Sequence, residues 1–174
     1  MVKWTDYIWS YFFELYFRRT GQSSLRKIMQ QFHTIEEWQA RSAIIRQGIL
    51  EGAGLFPLPE KTQLNAVIHS RREHAGYMVE NVYFESLPGF FVTGNLYRPL
   101  DQTGGDGVPA VLAPHGHFNH GRMSEDNQHL SATLARMGAI VFTYDMVGWS
   151  DSTQVPHNSR HTLAFQIWDS IRAL

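Results

Sequence analysis

The hydrophobic positions of this chain fall into two regimes, spaced for helices up to residue 60 and arranged as strands do beyond residue 76. Between Met1 and Phe17 the aromatics Trp4, Tyr7, Trp9, Tyr11, Phe12, Phe13, Tyr16 and Phe17 are interrupted by Lys3, Asp6 and Glu14. That pattern predicts an aromatic amphipathic helix. Thr34 followed by Glu37 is a capping-box pair: the threonine oxygen accepts from a first-turn N–H while the glutamate reaches back to the cap. A second helix is therefore expected from Ile35, with Ile35, Trp38, Ile45 and Ile49 near one face and Gly52 and Gly54 as the stop before Pro57 and Pro59. Residues 1–60 read as a helical N-terminal extension with an irregular linker, and residues 61–174 as a separate domain.

The second regime opens with Tyr77 to Ser86, rich in strand formers, then the turn signal Pro88-Gly89. Phe90, Val92 and Leu96 follow, alternating with Thr93, Asn95 and Tyr97. This is a β-hairpin. A Gly104-Gly105-Asp106-Gly107 turn leads into Val108 to Ala113, a short unbroken apolar run expected of a strand buried on both faces. Leu130, Leu134 and Met137 recur at helical spacing, Gly138 closes that helix, and Ala139 to Tyr144 is a second apolar strand ending at Asp145. Strand, helix, strand in that order is a βαβ unit, so the two strands should be parallel with a right-handed crossover. Leu163, Ile167, Ile171 and Leu174 mark a further helix, with Trp168 beside that face. An α/β array ending in a crossover helix predicts an incomplete sheet, the N-terminal part of a larger one.

Composition narrows the choice of function. A chain of 174 residues with 43% hydrophobic and 18% charged residues can bury a real core. A formal net charge of -1 supplies no broad basic field, which excludes the main driving term for nucleic-acid binding. No cysteine is present, so there is neither a disulfide framework nor a thiolate metal site. The aromatic N-terminus has no uninterrupted apolar run long enough for a bilayer span, and no small-residue cleavage site follows a basic start. A cytoplasmic location is weakly favoured on that ground.

The densest polar cluster, Pro114-His115-Gly116-His117-Phe118-Asn119-His120-Gly121, sits at the carboxyl end of the first apolar strand, the edge where open parallel sheets bind ligands. Two mechanisms compete for it. In the first, the His-Gly turn presents backbone N–H groups to the oxyanion of ester hydrolysis: Gly116 lets the backbone approach, and the N–H of His117 is the donor. His115 is then a structural histidine held by backbone groups, His117 or Phe118 lines the acyl pocket, and neither metal nor cofactor is involved. In the second, His115, His117 and His120 form H-x-H-x-N-H, close to the H-x-H-x-D-H of metallo-β-lactamase-type hydrolases. There imidazoles hold zinc, but Asn119 replaces the aspartate. His157 and His161 could complete such a set.

A second cluster runs from Asp145 through Met146, Val147, Gly148, Trp149, Ser150 and Asp151 to Ser152. Gly148 to Ser152 approaches the G-x-S-x-G nucleophile elbow, yet serine replaces the last glycine and Ser150 lies several residues past the strand end. The expected arrangement is a loop in which Asp145 fixes backbone amides and Ser150 or Ser152 caps locally. Ser24 to Lys27 fits S-x-x-K, but lies in what reads as a basic linker without partner motifs, and chance explains it.

Asn95-Leu96-Tyr97-Arg98-Pro99, Pro114-His115-Gly116-His117, and Tyr144 to Gly148 with Asp151-Ser152, followed by Ile171-Arg172-Ala173-Leu174, resemble the acetyl-xylan-esterase-like branch of the α/β-hydrolase superfamily. The resemblance runs from about Trp38 to the last residue. It implies a three-layer α/β-hydrolase-type sheet, present here as its N-terminal half, and a serine esterase acting on a small-molecule or carbohydrate ester. The nucleophile elbow and the other triad residues would then follow this stretch, leaving the chain inactive alone. Carried over residue by residue, the resemblance covers the oxyanion turn at Gly116-His117 and the loop from Asp145 through Met146 to Gly148 along the active-site edge. A non-catalytic alternative is a domain whose unpaired sheet edge associates with another chain, forming a homo-oligomer.

Overall fold

The computed structural model describes residues 4–101, 107–117 and 119–174, and the side chains from residue 16 onward. The Gly104 to Asp106 turn, Phe118 and the aromatic side chains before Tyr16 thus lie outside the described residues. The chain divides into two compact units, Met1–Ile49 and Leu50–Leu174.

The first unit is helical. Helix α1 runs Trp4–Met29, well past Phe17, and takes in Ser24 to Lys27, so that stretch is helix and not linker. Helix α2 spans Ile35–Gly52 and begins with the expected box. Glu37 N–H donates to Thr34 Oγ1 at 3.2 Å, and the Glu37 carboxylate accepts from the N–H groups of His33 at 2.6 Å and Thr34 at 3.3 Å. Those donated bonds hold the Glu37 carboxyl below the usual range. The anticipated apolar face of α2 is exposed, Ile35, Trp38, Ile45 and Ile49 included. Phe32 and Trp38 pack against each other at 4.9 Å between ring centres.

The second unit is built on a mixed sheet in the order β1-β2-β3-β5-β4. Strands β1 (Val67–His74), β2 (Tyr77–Leu87) and β3 (Phe90–Pro99) form an antiparallel meander, and β5 (Ile140–Tyr144) lies antiparallel to β3. Strand β4 (Ala110–Leu112) pairs with β5 in parallel, Val111 opposite Val141, as the βαβ pattern requires. Two details differ from expectation. Strand β1 is exposed along its whole length and therefore carries no burial pattern to be read. Strand β4 is only half-buried, because it is the outer strand among the described residues.

Helices cover both faces. Helix α3 (Glu125–Arg136) lies over β3 and β5, and α4 (Thr162–Ala173) lies over β2. The contact face of α3 is only in part the Leu130, Leu134, Met137 stripe: Leu134 packs against the core, but Leu130 and Met137 point outward, and Ser131, Ala132 and Ala135 are the buried positions. Small side chains let the helix axis approach the pleat, where Ala132 and Ala135 meet Val79, Tyr97 and Val141. The same correction holds for α4. Leu163 and Leu174 are exposed, while Trp168, Asp169 and Arg172 are inside. Trp168 is completely buried, and its indole N–H donates to Ser86 O at 2.8 Å. On this face Val82, Phe84, Val92 and Tyr144 form the second core. Tyr97, expected among the polar positions of its strand, is buried against the first core, because both sheet faces are covered.

Candidate active site

The parallel pair delivers its two following loops to one rim of the sheet. After β4 the ladder continues for one more bond, Ala113 N–H to Phe142 O at 2.9 Å, and the chain then turns through His115. Both ring nitrogens of buried His115 are engaged with backbone: Nδ1 lies 2.8 Å from Gly116 O, and Nε2 lies 3.2 Å from the Met146 N–H. A carbonyl accepts and an amide donates, so Nδ1 carries the proton and Nε2 is the acceptor. The imidazole therefore bolts the first loop to the second, the structural role anticipated for it. Gly121, at φ 51, completes the fit: a Cβ there would lie 3.0 Å from both His115 Cε1 and Ser150 Oγ.

His117 is exposed, and its Nε2 lies 2.7 Å from His157 Nε2. His157 Nδ1 is 2.7 Å from Val147 O and must donate to it, which leaves Nε2 as acceptor and makes His117 Nε2 the donor. Trp149 presents its ring edge-on to both imidazoles at 5.9 Å. Gly148, at φ 79, permits this closeness, since a Cβ there would stand 2.3 Å from His157 N. The backbone N–H groups of Gly116 and His117 have no hydrogen-bond partner among the described residues. His120 stands apart in a left-handed conformation ahead of the short Gly121–Met123 turn. The three clustered histidines thus do not share a focus, and among the described residues no three His, Asp or Glu side chains are placed to hold one metal ion.

Behind the second loop lies a buried ion pair. Asp145 accepts from Thr93 Oγ1 at 2.8 Å and from the Asp151 N–H at 3.3 Å, and its Oδ1 is 3.0 Å from Arg122 Nε. Arg122, 4% exposed, also donates to Asn95 Oδ1 at 2.7 Å and to the Asp151 carboxylate. Burial raises the Asp145 carboxyl above its ordinary range, against the lowering effect of the guanidinium and the two donated bonds. The aspartate holds a backbone amide as expected. Ser150, at φ 48, sits in the turn closed by Gly148 N–H to Ser152 O at 2.7 Å, remote from the start of α4, and no ring nitrogen bonds its hydroxyl among the described residues. That is a loop serine and not an elbow.

Between the two loops and α4 lies a cavity of about 220 Å³ lined by Pro114, His115, Tyr144, Asp145, Met146, Gln166, Asp169 and Ser170. Burial pushes the Asp169 carboxyl up to about 7, with the Ser86 hydrogen bond opposing it. Of the residues singled out from sequence, Asp145 and Met146 line this cavity, and Gly116, His117 and Gly148 lie in the adjoining loops. Arg122, Thr93 and Asp169 were not singled out, whereas His157 was named only as a possible metal ligand and Trp149 only as a member of the second cluster. Single residues on separate elements leave no spacing signal.

Neither the family models nor the curated proteins include a match to this chain. Solved structures do match. "Methylesterase BT1017" aligns over 90% of this chain with 28% identity and a TM-score of 0.68, and the alignment spans 37% of that protein. A provisionally assigned acetyl xylan esterase (BF1801) from Bacteroides fragilis aligns over 72% of this chain with 17% identity and a TM-score of 0.55, spanning 35% of its own length. The chain thus spans little more than a third of the structures it matches. The mixed sheet, its helices on both faces and these likenesses agree: this chain has an acetyl-xylan-esterase-like α/β fold, over little more than a third of the length of the structures named.

Proposed function

We propose that this chain supplies the oxyanion-hole side of a serine-dependent carboxylic ester hydrolase whose substrate is a small-molecule or carbohydrate ester such as an acetylated sugar. Residues 61–174 carry that role, and residues 1–60 are an extension to it. The observation that carries the reading is the His115–His117 turn, fixed at the carboxyl end of a parallel strand by an imidazole whose two nitrogens both bond backbone. A turn held in this way keeps its amide donors aimed before substrate arrives, so no reorganisation is needed as charge develops.

In the reaction a serine Oγ adds to the ester carbon, its proton passes to a histidine, and the carbonyl oxygen gains negative charge. The His117 N–H donates to that oxygen, and Gly116 lets the backbone come within reach. Met146 and Gly148 bound the acyl side. Asp145 is a positioning residue that holds the second loop through the Asp151 amide. Collapse of the intermediate expels the alcohol and leaves an acyl-enzyme, which water then hydrolyses. On this reading the nucleophile, its histidine and the acid lie outside residues 1–174. The 28% identity to a protein named a methylesterase supports ester chemistry.

Purified 1–174 is expected to show no saturable hydrolysis of p-nitrophenyl acetate. Turnover abolished by Ser150→Ala would overturn the placement of the nucleophile. Joining the chain to the sequence that follows it in its gene should yield activity that a serine-directed phosphonate destroys, and an active product indifferent to the phosphonate would overturn the serine mechanism.

A further inference from the structure

We propose that His117 and His157 form a proton-gated brace on the 115–117 turn, a hydrogen bond that holds while one of the two facing nitrogens is bare and lets go when both carry protons. The brace acts on the turn given an oxyanion-stabilising role above, and its bearing on ester hydrolysis rests on that reading. Its two halves are unequally held. The His157 ring donates from Nδ1 to Val147 O at 2.7 Å, and its own carbonyl accepts from Thr162 Oγ1 at 2.9 Å, at the start of α4. Its backbone fits against Gly148, where a Cβ would stand 2.3 Å from His157 N. His117 is exposed, and its side chain makes one hydrogen bond among the described residues, the 2.7 Å contact between the two Nε2 atoms. What the bond steadies is therefore the turn, and His157 is the fixed post.

Proton counting sets how the brace answers to acid. With both rings neutral, His117 supplies the proton in the gap and His157 Nε2 accepts it. The next proton enters at His117 Nδ1, away from the gap, which charges the donor and strengthens the bond. A further proton has no place but His157 Nε2, since the Nδ1–H is already given to Val147 O. Two N–H groups on two cations then face each other across 2.7 Å, and the contact must open. No neighbouring charge offsets this, for among the described residues no carboxylate pairs with either ring. On the loop after β5, Asp145 and Asp151 are committed to Arg122, and Trp149 offers an uncharged ring edge. His115, on the turn itself, has both nitrogens on backbone. Arg160 and His161 are bonded to each other at 2.8 Å, and on α4 the Asp169 carboxyl is bonded to Ser86.

Imidazole nitrogen-15 spectra of 1–174, read through the ring C–H protons from about pH 8 to about pH 5, where imidazoles gain charge, test the brace. No turnover is involved, so the ester-hydrolysis reading can fail while the brace stands, and the reverse. At the alkaline end His157 should carry its proton on Nδ1 and His117 on Nε2. The first added proton should appear on His117 Nδ1, and the Gly116 amide should make its larger movement with the second. His117→Gln supplies the control, because a carboxamide donates to His157 Nε2 when that nitrogen is bare and accepts from it when it is protonated. In that variant the acid response of the Gly116 amide should be lost. A bare Nδ1 on His157 at the alkaline end, a larger Gly116 movement with the first proton, or an unchanged response in His117→Gln overturns the proposal. So does a response abolished by EDTA, which would assign the pair to a metal ion. The spectra of the unaltered chain decide the matter even if the variant does not fold.

Discussion

The two faces of the sheet solve the same problem differently. On the α3 face the buried charges are closed into a network: Arg122 meets Asp145, Asp151 and Asn95, and Asn95 passes the chain to Asn81. On the α4 face the Asp169 carboxyl is buried beside Ser86 with no ion pair among the described residues. A closed network rigidifies what it touches, and here it touches the loop that ends β5. Burial of a carboxyl with no cation beside it disfavours its charged form, and Asp169 is accordingly pushed up to about 7 against the Ser86 hydrogen bond. One face is a fixed frame; the other is a chemically responsive wall beside the cavity at the rim.

The sharpest way to break this contrast is Arg122→Ala. It leaves Asp145 as a buried charge without its guanidinium and should cost about 3–5 kcal/mol in urea unfolding. A loss under about 1 kcal/mol would mean that the network is not a frame. Next in size is His115→Phe, which keeps the bulk but strands the Met146 N–H and Gly116 O. It should cost about 1–3 kcal/mol, and slowed exchange of the Met146 amide in the variant would contradict the tautomer assigned above.

The α4 face should answer to pH. The Asp169 carboxyl moves from its ordinary value of 3.8 to about 7 on folding, so between those values the native state binds more protons than the unfolded chain. Its contribution therefore favours folding at the acidic end of that window and is lost as pH rises toward 7. Asp169→Asn should raise the melting midpoint at pH 8 relative to the parent protein and should confer no such gain at pH 4. An equal gain at both would assign the effect to packing. The smallest effect is expected of Leu130→Glu on the outward side of α3: within about 0.5 kcal/mol, because the residue is 52% exposed and the helix packs through its alanines.

Much of the topology was legible because it depends on period and punctuation. The Thr34–Glu37 box, the Pro88-Gly89 turn and the Gly138 stop each sit where a local geometric demand meets a suitable residue. The parallel pairing of β4 with β5 followed from a helix placed between two apolar runs. Helix faces were misread for one reason. Hydrophobicity marks large side chains, whereas close approach of α3 to the sheet selects Ser131, Ala132 and Ala135, and α4 buries Arg172 through its bond to Thr62 O. At the rim, position relative to the strand ends located the two loops. The partners of Asp145 and His117 lie on other loops, where only the folded chain brings Arg122 and His157 to them.

The strand order carries a consequence for how this unit is made. β5 is inserted between β3 and β4, although β4 precedes it along the chain. During synthesis β4 emerges with neither neighbour available, since its one partner among the described residues is still to come. The β2–β3 hairpin can close locally, whereas the β4 ladder must await the crossover through α3. Pulse-labelled amides of β4 should therefore gain protection no earlier than those of β5, and the loop that follows β4 acquires its shape only at that late step.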